Sequence, residues 1–140
     1  MIKKIDHIGI AVKNMDDALS KYREVYNLEA IKVETLEDLK IRIAFISVGE
    51  VLIELLEPTE PGEGRIGKFL EENGEGFHHI AYRVEDIDGM LKSLIQMNVP
   101  LRDKQPRNGG DDSRIAFIEP NFTQNVLTEL VERKREVSGA

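Results

Sequence analysis

Two histidines and two glutamates carry the chemical promise of this chain. His7 opens the word "HIGIAV" and His79 opens "HIAYRV"; Glu54 sits in "VLIEL" and Glu129 in "VLTEL". Imidazole nitrogens and carboxylate oxygens bind borderline divalent ions, and the same groups move protons. A carboxylate inside an apolar strand costs on the order of several kcal/mol unless it is paired or bound to a metal. The chain contains no cysteine, so disulfides, thiolate nucleophiles and cysteine-ligated zinc are excluded together. Any metal must be held by histidine, carboxylate or amide oxygen.

Taken singly, each residue has an ordinary explanation. His7 or His79 could be a core histidine with a satisfied hydrogen bond, and the adjacent His78 could be the important one. Glu54 and Glu129 could lie on the solvated face of an edge strand. Repetition changes the weighing. "RIAFI" occurs at 42–46 and again at 114–118, and an offset of 72 also lays His7 on His79, Val12 on Val84, Asn14 on Asp86 and Leu19 on Leu91. The glutamate strand is displaced by three further residues, through an insertion around Pro120 to Asn125. This pattern marks a duplication. Two copies are too few for a solenoid, which needs about three, so a pseudo-twofold arrangement is expected. Two histidines and two glutamates would then converge on one cleft, a site suited to Zn²⁺, Co²⁺, Mn²⁺, Ni²⁺ or Fe²⁺.

The elements that must position these residues follow from periodicity. Ile8, Ile10 and Val12 share one face of the first strand, and His7, Gly9 and Ala11 the other. A helix follows, capped by Asn14 or Asp16, with Ala18, Leu19, Tyr22 and Val25 at helical spacing. Strands are expected near 29–34, 39–48 and 51–57. In the second copy Asp86 caps a helix marked by Met90, Leu91, Leu94 and Ile95. A weak strand near 101–105 and strands at 114–118 and 126–132 complete it. The unit is βαβββ, used twice: module one spans about 3–58, a linker with a short helix (66–72) spans 59–75, module two spans about 76–132, and a polar, frayed tail covers 133–140. Together they form a single α+β domain, with a curved, partly closed eight-stranded sheet around the cleft.

The length, 140 residues, suits one domain with its own core. No apolar run reaches the roughly 18–20 residues that a membrane helix needs. "MIKKIDHIGIAV" reads as a first strand of a cytoplasmic protein rather than a signal peptide, because it is short and carries Asp6 and His7. A net charge of −7 argues against broad nucleic-acid binding. "KQPRNGGDDSR", residues 104–114, reads as a hairpin loop that could close over a ligand, and Arg42, Arg83 and Arg114 as solvated arginines able to meet an anion.

With these words in view, the chain resembles the vicinal oxygen chelate superfamily, whose members pair βαβββ modules around a divalent metal. The resemblance runs from Ile5 to about Glu132. Within the superfamily it is most similar to the methylmalonyl-CoA epimerases, through "DHIGIAVKNMDDAL", "VLIELLEP", "FLEENGEGFHHIAYRVEDID" and "VLTEL". The resemblance implies one divalent ion, Co²⁺ foremost, held by His7, Glu54, His79 and Glu129; the family has either Gln or Glu at the position of Glu54. It implies interconversion of (R)- and (S)-methylmalonyl-CoA through a metal-stabilised enolate, with Glu129 as one base and Glu54 as the candidate for the second. An acyl-CoA substrate and a homodimer are further expectations, with no nucleic-acid or membrane partner. Two departures bear on substrate identity. The loop "EPNFTQN" lacks the family's glycine before the last strand, and "EP" at 119–120 replaces "HP". Alternatives in the same superfamily are lactoylglutathione lyase (glyoxalase I) and a ring-cleaving dioxygenase. An alternative of another class is a metal-free small-molecule binding or resistance protein.

Overall fold

The first apolar word forms strand β1 (Ile2–Ala11). In the computed structural model, which describes residues 1–138, it is followed by α1 (Met15–Tyr26), β2 (Ala30–Leu36), β3 (Ile41–Val48), β4 (Val51–Pro58) and α2 (Gly64–Asn73). The second copy supplies β5 (Gly76–Val84), α3 (Ile87–Gln96), β6 (Arg107–Asn108), β7 (Arg114–Ile118) and β8 (Thr128–Glu132). The βαβββ order therefore occurs twice among the described residues. The chain divides into two compact units whose boundaries fall inside β1 and β5. One comprises Ile8–His78 with residues 137–138, the other Met1–His7 with His79–Glu136.

In the Ile8–His78 unit the strand order is β2-β3-β4-β1. β3 pairs antiparallel with β2 and with β4, and Phe45 lies opposite Glu54. Val12, Met15, Ala44, Ile46 and Leu55 form one buried cluster, with Ala18, Leu19 and Tyr22 of α1 packed on it. A second cluster gathers Ala11, Ile43, Phe45, Leu56, Ile66 and Leu70, and Val137 packs against it. α2 is seated by Gly67, where a side chain would meet the Gly62 backbone at 2.6 Å.

In the other unit the order is β5-β8-β7-β6. β8 runs parallel to β5 and antiparallel to β7, and Phe117 lies opposite Glu129. Val84, Ile87, Ala116 and Leu130 repeat Val12, Met15, Ala44 and Leu55 of the first cluster, and Leu91 answers to Leu19. The polar frame repeats as well. Asn14 caps α1 by accepting from the Asp17 amide, and Asp86 caps α3 by accepting from the Gly89 amide. Glu57 accepts from the Met15 amide at 2.7 Å and pairs with Arg42 at 2.9 Å. Glu132 accepts from the Ile87 amide at 3.0 Å and pairs with Arg114 at 3.3 Å. In each copy the glutamate at the end of the last strand satisfies an orphan helix N–H and complements the helix dipole.

Three expectations are corrected. The strand near 101–105 is reduced to an isolated bridge, Leu101 to Ile118, and the pairing strand is the two-residue β6. Prolines at 100 and 106 flank the segment. It meets β7 by backbone bonds from the Arg102 and Asp103 amides to the Phe117 carbonyl, at 2.9 and 3.2 Å, and the Asp103 carboxylate accepts from the Phe117 amide at 2.9 Å, so the ladder does not extend. The arginines are not simply solvated: Arg42, Arg83 and Arg114 are each engaged by carboxylates. The tail is no frayed end over 133–137, since the Arg133 side chain is only 2% exposed and Val137 is packed. Gly139 and Ala140, also assigned to that tail, lie outside the described residues.

Candidate metal centre

Three of the four expected ligands meet inside one compact unit. His7 is the last residue of its Met1–His7 segment, His79 stands on β5, and Glu129 stands beside it on β8, where Ala81 is its parallel partner. All three are buried, at 3%, 4% and 4% exposure. His7 Nε2 lies 2.9 Å from His79 Nε2 and 3.0 Å from Glu129 Oε1, and His79 Nε2 lies 3.7 Å from the same oxygen. Metal–ligand bonds of about 2.0–2.1 Å at octahedral or tetrahedral angles separate neighbouring ligand atoms by about 2.9–3.4 Å. The observed spacing is close to that of one coordination shell.

Two further observations fit a cation. Glu129 Oε1 is buried without a well-directed hydrogen bond, although His7 stands within ion-pair distance. A buried carboxylate oxygen of this kind requires a positive partner. Burial acts to raise the Glu129 carboxyl, but the His79 and His7 imidazoles bring it below the usual carboxylate range. Phe117 closes one side, with its ring 5.6 Å from that of His79. Two imidazole nitrogens and one carboxylate oxygen suit a borderline divalent ion.

Behind the ligands lies a network that sequence reasoning missed. His7 Nδ1 donates to Asp6 Oδ2 at 2.7 Å. When the ring is neutral, as metal binding requires, this contact selects the tautomer with the Nε2 lone pair facing His79 and Glu129. Asp6 is buried and also accepts from Arg83 and Arg133. Burial opposes its charge, but hydrogen bonds from His7 and Arg133 outweigh it and hold the Asp6 carboxyl far below its usual range. One signal was available in the sequence: the offset of 72 lays Asp6 on His78, so the duplication is broken beside the histidine ligand.

Glu54 belongs to the other unit. It is 5% exposed on β4, between Ile53 and the fully buried Leu55. Its place opposite Phe45 matches that of Glu129 opposite Phe117. The neighbouring His78 packs its ring edge-on against Phe69, 4.8 Å between centroids.

Residues 6–117 match the Glyoxalase/Bleomycin resistance protein/Dioxygenase superfamily. The chain belongs to that superfamily. Among its relatives there, the uncharacterized protein YqjC of Bacillus subtilis (strain 168) is 41% identical over 95% of this chain and 94% of that protein. An ethylmalonyl-CoA/methylmalonyl-CoA epimerase of Cereibacter sphaeroides is 33% identical over 93% of this chain and 98% of that protein. Among solved structures, a variant of Streptomyces coelicolor methylmalonyl-CoA epimerase in complex with 2-nitronate-propionyl-CoA is 35% identical. That structure covers 99% of both chains with a TM-score of 0.91. The α+β fold of paired βαβββ modules expected from the repeat is thus the superfamily's fold, and the resemblance to the epimerases is borne out.

Proposed function

We propose that this protein is a metal-dependent epimerase that interconverts (R)- and (S)-methylmalonyl-CoA. The observation that supports it most is the convergence of His7, His79 and Glu129 at spacings of 2.9–3.7 Å, close to those of one coordination shell. The similarity to epimerases directs that chemistry toward an acyl-CoA. His7, His79 and Glu129 would hold one divalent ion, Co²⁺ foremost. Glu54 is assigned as the fourth ligand, on its burial and its repeat equivalence to Glu129. A cation bound there supplies Lewis acidity to the thioester oxygen.

The chain's own groups do the rest. Glu129, ionised by its imidazole neighbours, takes the proton α to the thioester. Glu54 returns a proton to the opposite face. Phe117 keeps one wall of the site apolar, which strengthens every charge interaction inside. A homodimer and a cytoplasmic location accompany this reading from the family resemblance.

The test is α-deuterium uptake and optical inversion of one epimer of methylmalonyl-CoA in D₂O. Exchange abolished by EDTA and restored by Co²⁺ is the expected result. No exchange with several divalent ions would overturn the substrate assignment and direct the assay to the methylglyoxal–glutathione hemithioacetal, the glyoxalase I substrate.

A further inference from the structure

We infer that Arg133 is a positioning residue of the metal centre, holding the Asp6 carboxylate in the one orientation that keeps His7 Nε2 turned toward His79 and Glu129. The inference rests on the reading of His7 as a metal ligand. Asp6 sets the His7 tautomer through its contact with Nδ1 at 2.7 Å, and a carboxylate does so best when it is itself prevented from rotating. Its two oxygens are used differently. Arg83 Nε reaches Oδ1 alone, at 2.7 Å, while His7 uses Oδ2. Arg133 spans both: Nε lies 3.0 Å from Oδ1 and 3.3 Å from Oδ2, and Nη2 lies 2.9 Å from Oδ2. Arg83 and His7 each bind one oxygen, whereas the planar guanidinium of Arg133 spans both at once and adds a constraint on the plane of the carboxylate.

The fork is itself fixed. The Arg133 side chain is 2% exposed, and its Nη1 donates to the Gly110 carbonyl at 3.2 Å. Arg83, by contrast, directs its remaining nitrogens to Glu136, a carboxylate whose side chain is 70% exposed. The device serves one ligand only, because the repeat places His78 where Asp6 would stand beside His79. The residue immediately beyond β8 thereby completes a support that begins at Asp6, near the opposite end of the chain.

The test uses the full chain as wild type, Arg133→Lys, Arg133→Met and Arg83→Met. ¹⁵N NMR of histidine in the metal-free protein reads the His7 tautomer, calorimetric titration reads Co²⁺ affinity, and thermal unfolding reads the fold. Arg133→Met should mix the His7 tautomers and weaken Co²⁺ binding about tenfold to a hundredfold, the scale for groups that orient a ligand. Arg83→Met should weaken it less. Arg133→Lys keeps the charge without the fork and should fall between Arg133→Met and wild type. A wild-type tautomer and affinity in Arg133→Met would overturn the inference. Should that variant fail to fold, a wild-type tautomer in Arg133→Lys would do so. A wild-type protein that binds no divalent ion would defeat the metal reading alone, and the tautomer comparison would still decide the role of Arg133.

Discussion

A carboxylate buried against two imidazoles has two uses, as a ligand and as a base, and substitution separates them. Glu129→Gln keeps an oxygen donor but removes the proton acceptor. α-Proton exchange should fall by about 10² to 10⁴, the usual contribution of a positioned base, as read by deuterium uptake. Co²⁺ affinity should also fall, because a neutral amide replaces the charge that a cation demands. Glu54→Gln should behave differently. The family resemblance implies that Gln or Glu serves at this position, so Co²⁺ affinity should stay within about tenfold while optical inversion falls by about 10² to 10⁴. Deuterium uptake from the Glu129 face should persist in that variant. Inversion at the wild-type rate in Glu54→Gln would confine Glu54 to metal binding. These residues were legible because a glutamate in an apolar strand is anomalous, and the anomaly is written twice. Asp6 was not, since an aspartate before a strand's first buried histidine looks like a strand-edge residue until its partners, Arg83 and Arg133, are brought beside it.

The elements repeat their fastening as faithfully as their order. Glu57 and Glu132 each bind the first N–H of a helix and an arginine from the preceding strand. Glu57→Gln and Glu132→Gln should therefore destabilise the protein by similar amounts, about 1 kcal/mol each, as measured by urea denaturation. Unequal losses would mean that the two copies have diverged in how their helices are anchored. Asp88 adds a second, pH-dependent tie, a two-pronged contact with Arg114. The hydrogen bond from Arg114 lowers the Asp88 carboxyl below its usual 3.8. A lowered folded-state value means the contribution is present above 3.8 and is lost as the pH falls through the folded-state value. Asp88→Asn should therefore flatten the acid limb of the stability–pH curve by lowering stability near neutrality, with wild type and variant converging at acid pH below the folded-state value. The contact is exposed, so the change should be small. Helices, caps and the "RIAFI" strands were legible because local periodicity and capping chemistry decide them. The 101–105 segment was not, because the Asp103 carboxylate takes the Phe117 amide and converging backbone bonds to one Phe117 carbonyl cut the ladder short.

At the scale of the whole chain, the duplication was legible in the sequence, but not how the polypeptide is shared between compact units. The boundary falls at His7, so the first copy's histidine belongs to the same unit as His79 and Glu129. Strand periodicity cannot reveal this, because β1 reads as one uninterrupted strand and its division is a property of packing. The C-terminal arginine was misread for a related reason: charge and position near the end suggested solvent, and only a partner from the opposite end of the chain explains its burial. A site assembled from such distant segments exists only in the folded protein. An ion that binds there and not to the unfolded chain must stabilise the fold by mass action. With free Co²⁺ at a hundred times its dissociation constant, unfolding in urea should require about 2.7 kcal/mol more than in EDTA. His79→Ala removes one ligand from β5 and should abolish that increment while the chain remains folded in EDTA. The comparison is internal to each variant, so any packing loss from removing the ring against Phe117 cancels. An increment that survives in His79→Ala would place the ion elsewhere, and the convergence of His7, His79 and Glu129 would then need a different explanation.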